Sequence, residues 1–515
     1  MPKSVIACDL GTGGVKSAIY DFEGRCVADC VSDIKTSYPQ PARHEQRPLD
    51  WWTAVVDSIR RLLRQPGIDV DGIGAIALSG HSLGCIPLSG HGELLQDFVP
   101  IWSDGRAEAE AEQFFTNYDR RQWYFTTGNG FPAPLYTLFK ILWLRNYAPE
   151  TFAATKTIVG TKDYINYRLT GRIVTDPSYA SGSGFYDLKA GRYAPDILEA
   201  AGLPLSLFPE IVPSTAIIGQ VLPEMAAELG LPAGVKVVAG GVDNSCMALG
   251  ARTFREGDIF SSMGSSSWLT ISSSTPLLDD RVKPYVFAHV APGQFISATS
   301  IFSSGTSLNW VRDTLMPELV ATAKQGGLDV HEALMALATT SPRGAHGLIF
   351  VPTLGGGTSF EGGTAVRGGF VGLDLTHDRA DLLRATLEGI ALGLRAALDE
   401  LRRMTRVSEE MIMVGGGARS AVWRQIFADI FDCSILKTGI DQQAASLGAA
   451  ALALVGIGAW ADFSRLDALH EAEALSLPHK EAGPVYAKAL LAYRKAAEQQ
   501  GELARDLAAL RAISI

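Results

Sequence analysis

Asp9 closes an apolar run, Val5-Ile6-Ala7-Cys8, and is followed by Leu10-Gly11-Thr12-Gly13-Gly14 and a second β-type run over residues 15–20. A turn of this composition can present several backbone N–H groups and a hydroxyl to a phosphate, with a carboxylate beside them to hold a metal ion. It is neither of the common nucleotide loops. Lys16 stands where the third glycine of Gly-x-Gly-x-x-Gly would be, and the pattern Gly-x(4)-Gly-Lys-Ser/Thr is absent. Both of those loops lead into a helix, whereas this one leads into a strand. The alternative is a plain hairpin with glycines at positive φ. A second such turn, Gly264-Ser265-Ser266-Ser267, lies within a strand–turn–strand pattern over residues 258–270. Between the two turns, the strand pattern 235–244 ends in Gly240-Gly241-Val242-Asp243-Asn244, which places a carboxylate at a strand end.

These groups need elements to position them. Strands are expected at 5–8, 15–21, 25–31 and 73–79, with an amphipathic helix over 48–63 that carries Trp52, Val55, Val56, Ile59 and Leu62 at helical spacing. The segment 73–79 ends in Gly80-His81-Ser82-Leu83-Gly84. After 235–244 comes a short helix at 245–249, then the 258–270 hairpin, so the second half repeats the opening pattern. This reads as a weak internal duplication; the alternative is two unrelated Gly/Ser turns. Further on are a strand at 347–352, a glycine-bracketed loop at 355–363 and a long helix at 380–404. A strand at 411–414 ends in Gly415-Gly416-Gly417-Ala418. Helices follow at 421–431, at 444–455, where Ala and Gly suit close backbone approach, and at 484–510, a packing or oligomer helix.

At 515 residues the chain exceeds one ordinary core, so two large domains are expected. Apolar content of 47% and charged content of 19% fit a soluble globular protein. A formal charge of −10 argues against nucleic-acid or anionic-membrane partners. No apolar run reaches transmembrane length, and Met1-Pro2-Lys3 leads directly into a strand without a signal peptide. Six scattered cysteines without a Cys-x-x-Cys read as reduced core thiols, and the expected location is the cytoplasm.

The Asp9 hairpin, Trp102-Ser103-Asp104-Gly105-Arg106, Gly241-Val242-Asp243-Asn244, the Gly264 hairpin and Gly415-Gly416-Gly417-Ala418 stand in an order that resembles the FGGY carbohydrate kinases, within the sugar kinase/actin/Hsp70 superfamily. Within that family the sequence is similar to the xylulokinases. Gly368-Gly369-Phe370-Val371-Gly372-Leu373 followed by Asp381-Leu382-Leu383-Arg384-Ala385-Thr386-Leu387-Glu388 fits the family's second signature throughout. The first signature is met only in part, at Thr137, Lys140 and Trp143, since Leu135 and Tyr147 depart from it.

The resemblance implies an α/β fold of two actin-like, ribonuclease H-like domains with ATP and sugar in the cleft between them. Residues 1–249 would carry the sugar and phosphate side, and residues 250–515 the nucleotide side and the helical tail. It makes Asp243 the general base for the sugar hydroxyl, a role worth about 10²–10⁴-fold; capping the helix that follows is the other use of such a residue. Asp9 becomes the carboxylate on Mg²⁺, with Asp243 beside it. Gly11, Thr12 and Gly13 would contact the transferring phosphate, and Lys16 either neutralises charge there or faces water as a strand lysine. Gly264, Ser265 and Ser266 would form the second phosphate hairpin, with serine where the family more often has threonine. Gly305 and Asn309 would lie along the nucleotide. Gly416, Gly417 and Ala418 would approach adenine and ribose closely, with Arg419 and Ser420 flanking the base.

On the sugar side the resemblance gives Trp102 to cover an apolar face, Asp104 to accept hydroxyl hydrogen bonds, and Asn244 as a further polar contact. His81 either contacts substrate, with Ser82, or is a packed, hydrogen-bonded histidine. The chain departs from xylulokinases at two places. Leu83 stands where they carry histidine, and Gly356-Gly357-Thr358-Ser359-Phe360 replaces a Gly-Glu-Arg-Thr-Pro run. Both bear on which hydroxyls can be paired. The implied activity is ATP-dependent phosphorylation of a primary hydroxyl of a small ketose, D-xylulose first, with ribulose, a tetritol or a glycerol-like polyol as alternatives. The tail allows a homodimer. A reading from another class is an actin- or Hsp70-like ATPase switch.

Overall fold

The computed structural model of the protein describes residues 2–440 and 443–513. Its first half opens with a β-meander: β1 (Ser4–Gly11), β2 (Gly14–Asp21) and β3 (Cys26–Asp33). α1 (Pro48–Leu63) follows, then β4 (Ile73–Gly80), α2 (Thr137–Tyr147), β5 (Ile217–Gln220), β6 (Lys236–Val242) and α3 (Asp243–Gly250). Apart from α2, these build a six-stranded sheet of order β5-β6-β4-β1-β2-β3 and two helices beside it. β1 pairs parallel to β4, and β4 to β6. α1 starts with Pro48 and Leu49 and buries Trp51, Trp52, Val55, Val56, Ile59 and Leu62. That stripe packs on Ile6, Cys8, Leu10, Val15 and Ile19 of β1 and β2.

The second half contains β7 (Ile259–Met263), β8 (Ser267–Ser273), β9 (Tyr285–Ala288), β10 (Phe295–Ile301), α4 (Gly305–Leu315) and α5 (Val330–Ala338). It continues with α6 (Arg379–Leu401), β11 (Glu410–Val414), α7 (Ala421–Phe431), β12 (Ser434–Thr438), α8 (Ala444–Gly456), β13 (Ala472–Ser476) and α9 (Gly483–Ile513). Its sheet has the order β9-β10-β8-β7-β11-β12-β13. β10-β8-β7-β11-β12 reproduces β3-β2-β1-β4-β6, an antiparallel meander extended by two parallel strands. The duplication expected from the two Gly/Ser hairpins is therefore present at the level of topology. The fold is the two-domain α/β architecture expected.

The halves exchange helices. Ala248 and Ala251, at the end of α3, lie in one apolar cluster with Phe260, Ile412, Val414 and Leu436 of the second sheet. Leu447, Ala450 and Leu454 of α8 lie in another with Val5, Ala7, Ala75 and Ala77 of the first sheet. Where α3 and α8 cross, a Cβ at Gly250 would sit 1.8 Å from the Ala444 carbonyl oxygen, and one at Gly448 would sit 1.9 Å from that of Cys246. Only glycine lets the two backbones meet. α9 lays Tyr486, Ala489, Tyr493 and Ala496 into the core of the second half, so it is a packing helix on that face.

Candidate active site

The site grows from the ends of β1, β4 and β6. Asp9, Ser79 and Gly241 are register neighbours across these three parallel strands. Ser79 Oγ donates a 2.9 Å hydrogen bond to Asp9 Oδ1. Burial raises the Asp9 carboxyl above its ordinary value, against the pull of Ser79 and Lys16. Lys16 faces Asp9 directly across the β1–β2 hairpin, which puts both side chains on one face of the sheet.

β6 is bent before it delivers its carboxylate. Its register against β4 shifts between Val238 and Gly241. Gly240 takes φ +72°, and a Cβ there would lie 2.0 Å from the Leu78 carbonyl oxygen. Ser178 holds the strand end by accepting the Val242 N–H (2.9 Å) and donating to Asp176 (2.5 Å). Asp243 then begins α3 as its first helical residue, with Val242 as the N-cap. Its Oδ1 accepts the N–H of Asn244 (2.8 Å). Burial and the charge of Asp9 push the Asp243 carboxyl up to about 7. Two carboxylates at the ends of β1 and β6, the strands that flank β4, with one of them poised near neutral pH, have the chemistry to take a proton or to hold a cation.

The second hairpin meets the N-terminus of α4. Gly264 N–H donates to Ser266 O, Gly305 N–H to Gly264 O (3.0 Å) and Thr306 N–H to Ser265 O (3.1 Å). Gly264, Ser265, Gly305, Asn309, Gly416, Gly417, Arg419 and Ser420 all line one cavity of about 880 Å³, within the range of small-molecule sites. Ser266 and Ala418 do not line it. Ala418 is buried, with its carbonyl bonded by Arg424, and Ser420 Oγ caps α7 by accepting the Trp423 N–H. The cavity is also lined by Asp329, His331, Glu332, Met335 and Ala336, the cap and one face of α5, which no motif in the sequence announces. The only sequence signal for it is the helix cap Asp329, which accepts the Glu332 N–H.

On the remaining side Trp102 is partly exposed, and its Nε1 donates to Thr12 Oγ1 (2.8 Å), tying this wall to the β1–β2 turn. Gln46 donates to the Thr12 carbonyl (2.7 Å) and accepts from Trp51 Nε1. Asp104 is fully buried and its oxygens face protein. Arg106 donates to both through Nε (2.8 Å) and Nη2 (2.7 Å), and the His44 N–H adds a third bond (2.7 Å). His81 is buried edge-on against Trp51, and neither ring nitrogen has a hydrogen-bond partner within the protein. Burial holds it neutral, with its pKa down at about 4. It is a packed histidine without the hydrogen bonds expected of one. Ser82 is buried next to it, and Asn244 is half-buried beside Asp243. Among the described residues no helix is long and apolar enough to cross a membrane.

Residues 4–250 match the model of the N-terminal domain of the FGGY family of carbohydrate kinases, and residues 259–457 match that of its C-terminal domain. The chain is 30% identical to the xylulose kinase of Escherichia coli (strain K12) over 455 residues, 87% of this chain and 89% of that one. The crystal structure of xylulose kinase from Rhodospirillum rubrum is similar with a TM-score of 0.89 and 28% identity, covering 98% of this chain and all of that one. That of gluconate kinase from Lactobacillus acidophilus is similar with a TM-score of 0.90 and 26% identity, covering 98% and 99%.

Proposed function

The chain belongs to the FGGY family of carbohydrate kinases, and from that premise we propose that it transfers the terminal phosphoryl group of ATP to a primary hydroxyl of D-xylulose. One observation carries the catalytic part of this reading. Asp243 stands at a strand end with its carboxyl raised to about 7, next to Asp9 and the hydroxyl-bearing β1–β2 turn. The similarity to xylulose kinases supports the choice of sugar.

Phosphoryl transfer asks a protein for positioning and for charge stabilisation. Asp243 takes the proton of the attacking hydroxyl. Gly11, Thr12 and Gly13 hold the transferring phosphate, and Lys16, on the same sheet face as Asp9, adds positive charge. Gly264, Ser265 and Ser266 hold the donor's phosphates from the other side. Gly305 and Asn309 run along the nucleotide, and Gly416, Gly417 and Ser420 shape the floor under ribose and adenine, with the buried Ala418 behind them. Trp102, Ser82, His81 and Asn244 form the acceptor side. Asp104 serves it from behind by fixing Arg106 and the His44 backbone.

Two neighbouring carboxylates suit Mg²⁺, which takes one or two of them together with phosphate oxygens and water. Asp9 and Asp243 would hold it, and bound there it would neutralise charge on the phosphates. We divide the work between residues 1–249, the acceptor and phosphate side, and 250–515, the nucleotide side. A charge of −10 and six free thiols suit the cytoplasm.

A second reading, another pentulose, a tetritol or an aldonate, is favoured by Leu83 where xylulokinases carry histidine, and by the likeness to gluconate kinase. Phosphorus NMR of the product from ATP and D-xylulose tests the proposal. A new ester signal split into a triplet by two adjacent protons is expected, as for phosphate on a CH₂ group. A doublet, or no ester, contradicts it.

A further inference from the structure

α2 carries Thr137, Lys140 and Trp143 at a spacing of three, on one side of the helix. Each holds a piece of the acceptor wall. Thr137 Oγ1 donates to the Gly84 carbonyl (3.1 Å). Lys140 is fully buried, and its ammonium donates to the carbonyls of Leu83 (2.9 Å) and Ile101 (2.6 Å). The Trp143 ring lies under the Arg106 guanidinium, 4.8 Å from its centroid, and Arg106 is the group that grips Asp104. The two loops so held, 80–84 and 101–106, bear Ser82, Leu83 and Trp102.

Leu83 shows why such support is needed. It is buried with φ +61°, a left-handed conformation that strains a non-glycine residue. Such backbones persist where their surroundings over-determine them, and here the next two carbonyls, of Leu83 and Gly84, are both pinned from α2. A buried ammonium is itself costly, and burial pushes Lys140 down to about 7 despite the nearby negative charge of Asp104. A methionine or leucine would fill the same volume.

We propose that Thr137, Lys140 and Trp143 are positioning residues for the sugar acceptor, acting through the Leu83, Gly84 and Ile101 carbonyls and through Arg106 to set the two loops that wall its pocket. The inference rests on the kinase reading of the cleft. The test uses the full chain with Lys140→Met and, as the gentler variant, Thr137→Val. Initial rates are taken against sugar at saturating ATP and against ATP at saturating sugar, together with melting temperatures. The expected result is a KM for sugar raised about tenfold in Lys140→Met and about threefold in Thr137→Val, with KM for ATP within about twofold of wild type. A KM for ATP that rises in step, or a KM for sugar that does not move in either variant, overturns the inference. If Lys140→Met fails to fold, the same split is read from Thr137→Val. If the wild-type protein phosphorylates no sugar, the functional reading falls first, and that is visible before any variant is compared.

Discussion

At the scale of single residues, the raised carboxyl of Asp243 links stability to chemistry. Desolvation and the Asp9 charge favour its protonated form, moving it from 3.8 to about 7. A base works only when unprotonated. In the free enzyme log(kcat/KM) should therefore fall with unit slope below an apparent pKa of about 7 and stay level above it. Asp243→Asn should lower kcat by about 10²–10⁴-fold while leaving ATP affinity, read by calorimetry, nearly unchanged; retained activity would remove Asp243 from its role. The same shift has a stability cost. Because the folded state binds this proton more tightly than the unfolded chain, its contribution is fully present below pH 4 and lost as pH rises through 7. Asp243→Asn should then be more stable than wild type at pH 8, by on the order of 1–3 kcal/mol, and about equally stable at pH 4. Thermal melts at the two pH values check this. Asp9 and Asp243 were legible in the sequence because each follows an apolar strand pattern and stands beside glycines. The occupation of Asp104 was not, because the His44 N–H comes to it from 60 positions away.

At the scale of elements, local pattern fixes helices better than partners. α1 and α7 have the bounds their periodicity suggests, whereas the helix expected to run to Met404 stops at Leu401, with Arg402 as its C-cap. The strand expected to reach Asn244 ends at Val242, because the Gly240 bulge turns the chain into α3 two residues earlier. The exchange of α3 and α8 between the sheets had no local signal beyond the Ala/Gly-rich composition of residues 444–455. Its consequence is that the helix starting at Asp243 is clamped from the far half of the chain. Gly448→Val would drive a side chain into the Cys246 carbonyl. It should destabilise the fold by about 1–3 kcal/mol or more and lower kcat more than the exposed substitution Lys488→Ala. Equal kcat in both variants would detach the crossing from the site.

At the scale of the whole molecule, two sheets of one topology are joined by the crossing of α3 and α8 and by further contacts such as the stacked rings of Phe131 and Tyr285 and the bond from Trp460 Nε1 to the Phe22 carbonyl. That arrangement suits rotation of the halves over bound ligands, which sequesters the reacting groups from water. Small-angle scattering should give a smaller radius of gyration with a non-hydrolysable ATP analogue and sugar together than with either alone; an unchanged radius would mean a rigid cleft. The kinase reading itself is tested most directly by the rate of ADP formation across ketoses and polyols of three to six carbons at saturating ATP. ADP formation should depend on sugar, be greatest in kcat/KM for D-xylulose and fall to the sugar-free background in Asp243→Asn. An ADP rate that is the same with every sugar and with none would contradict it.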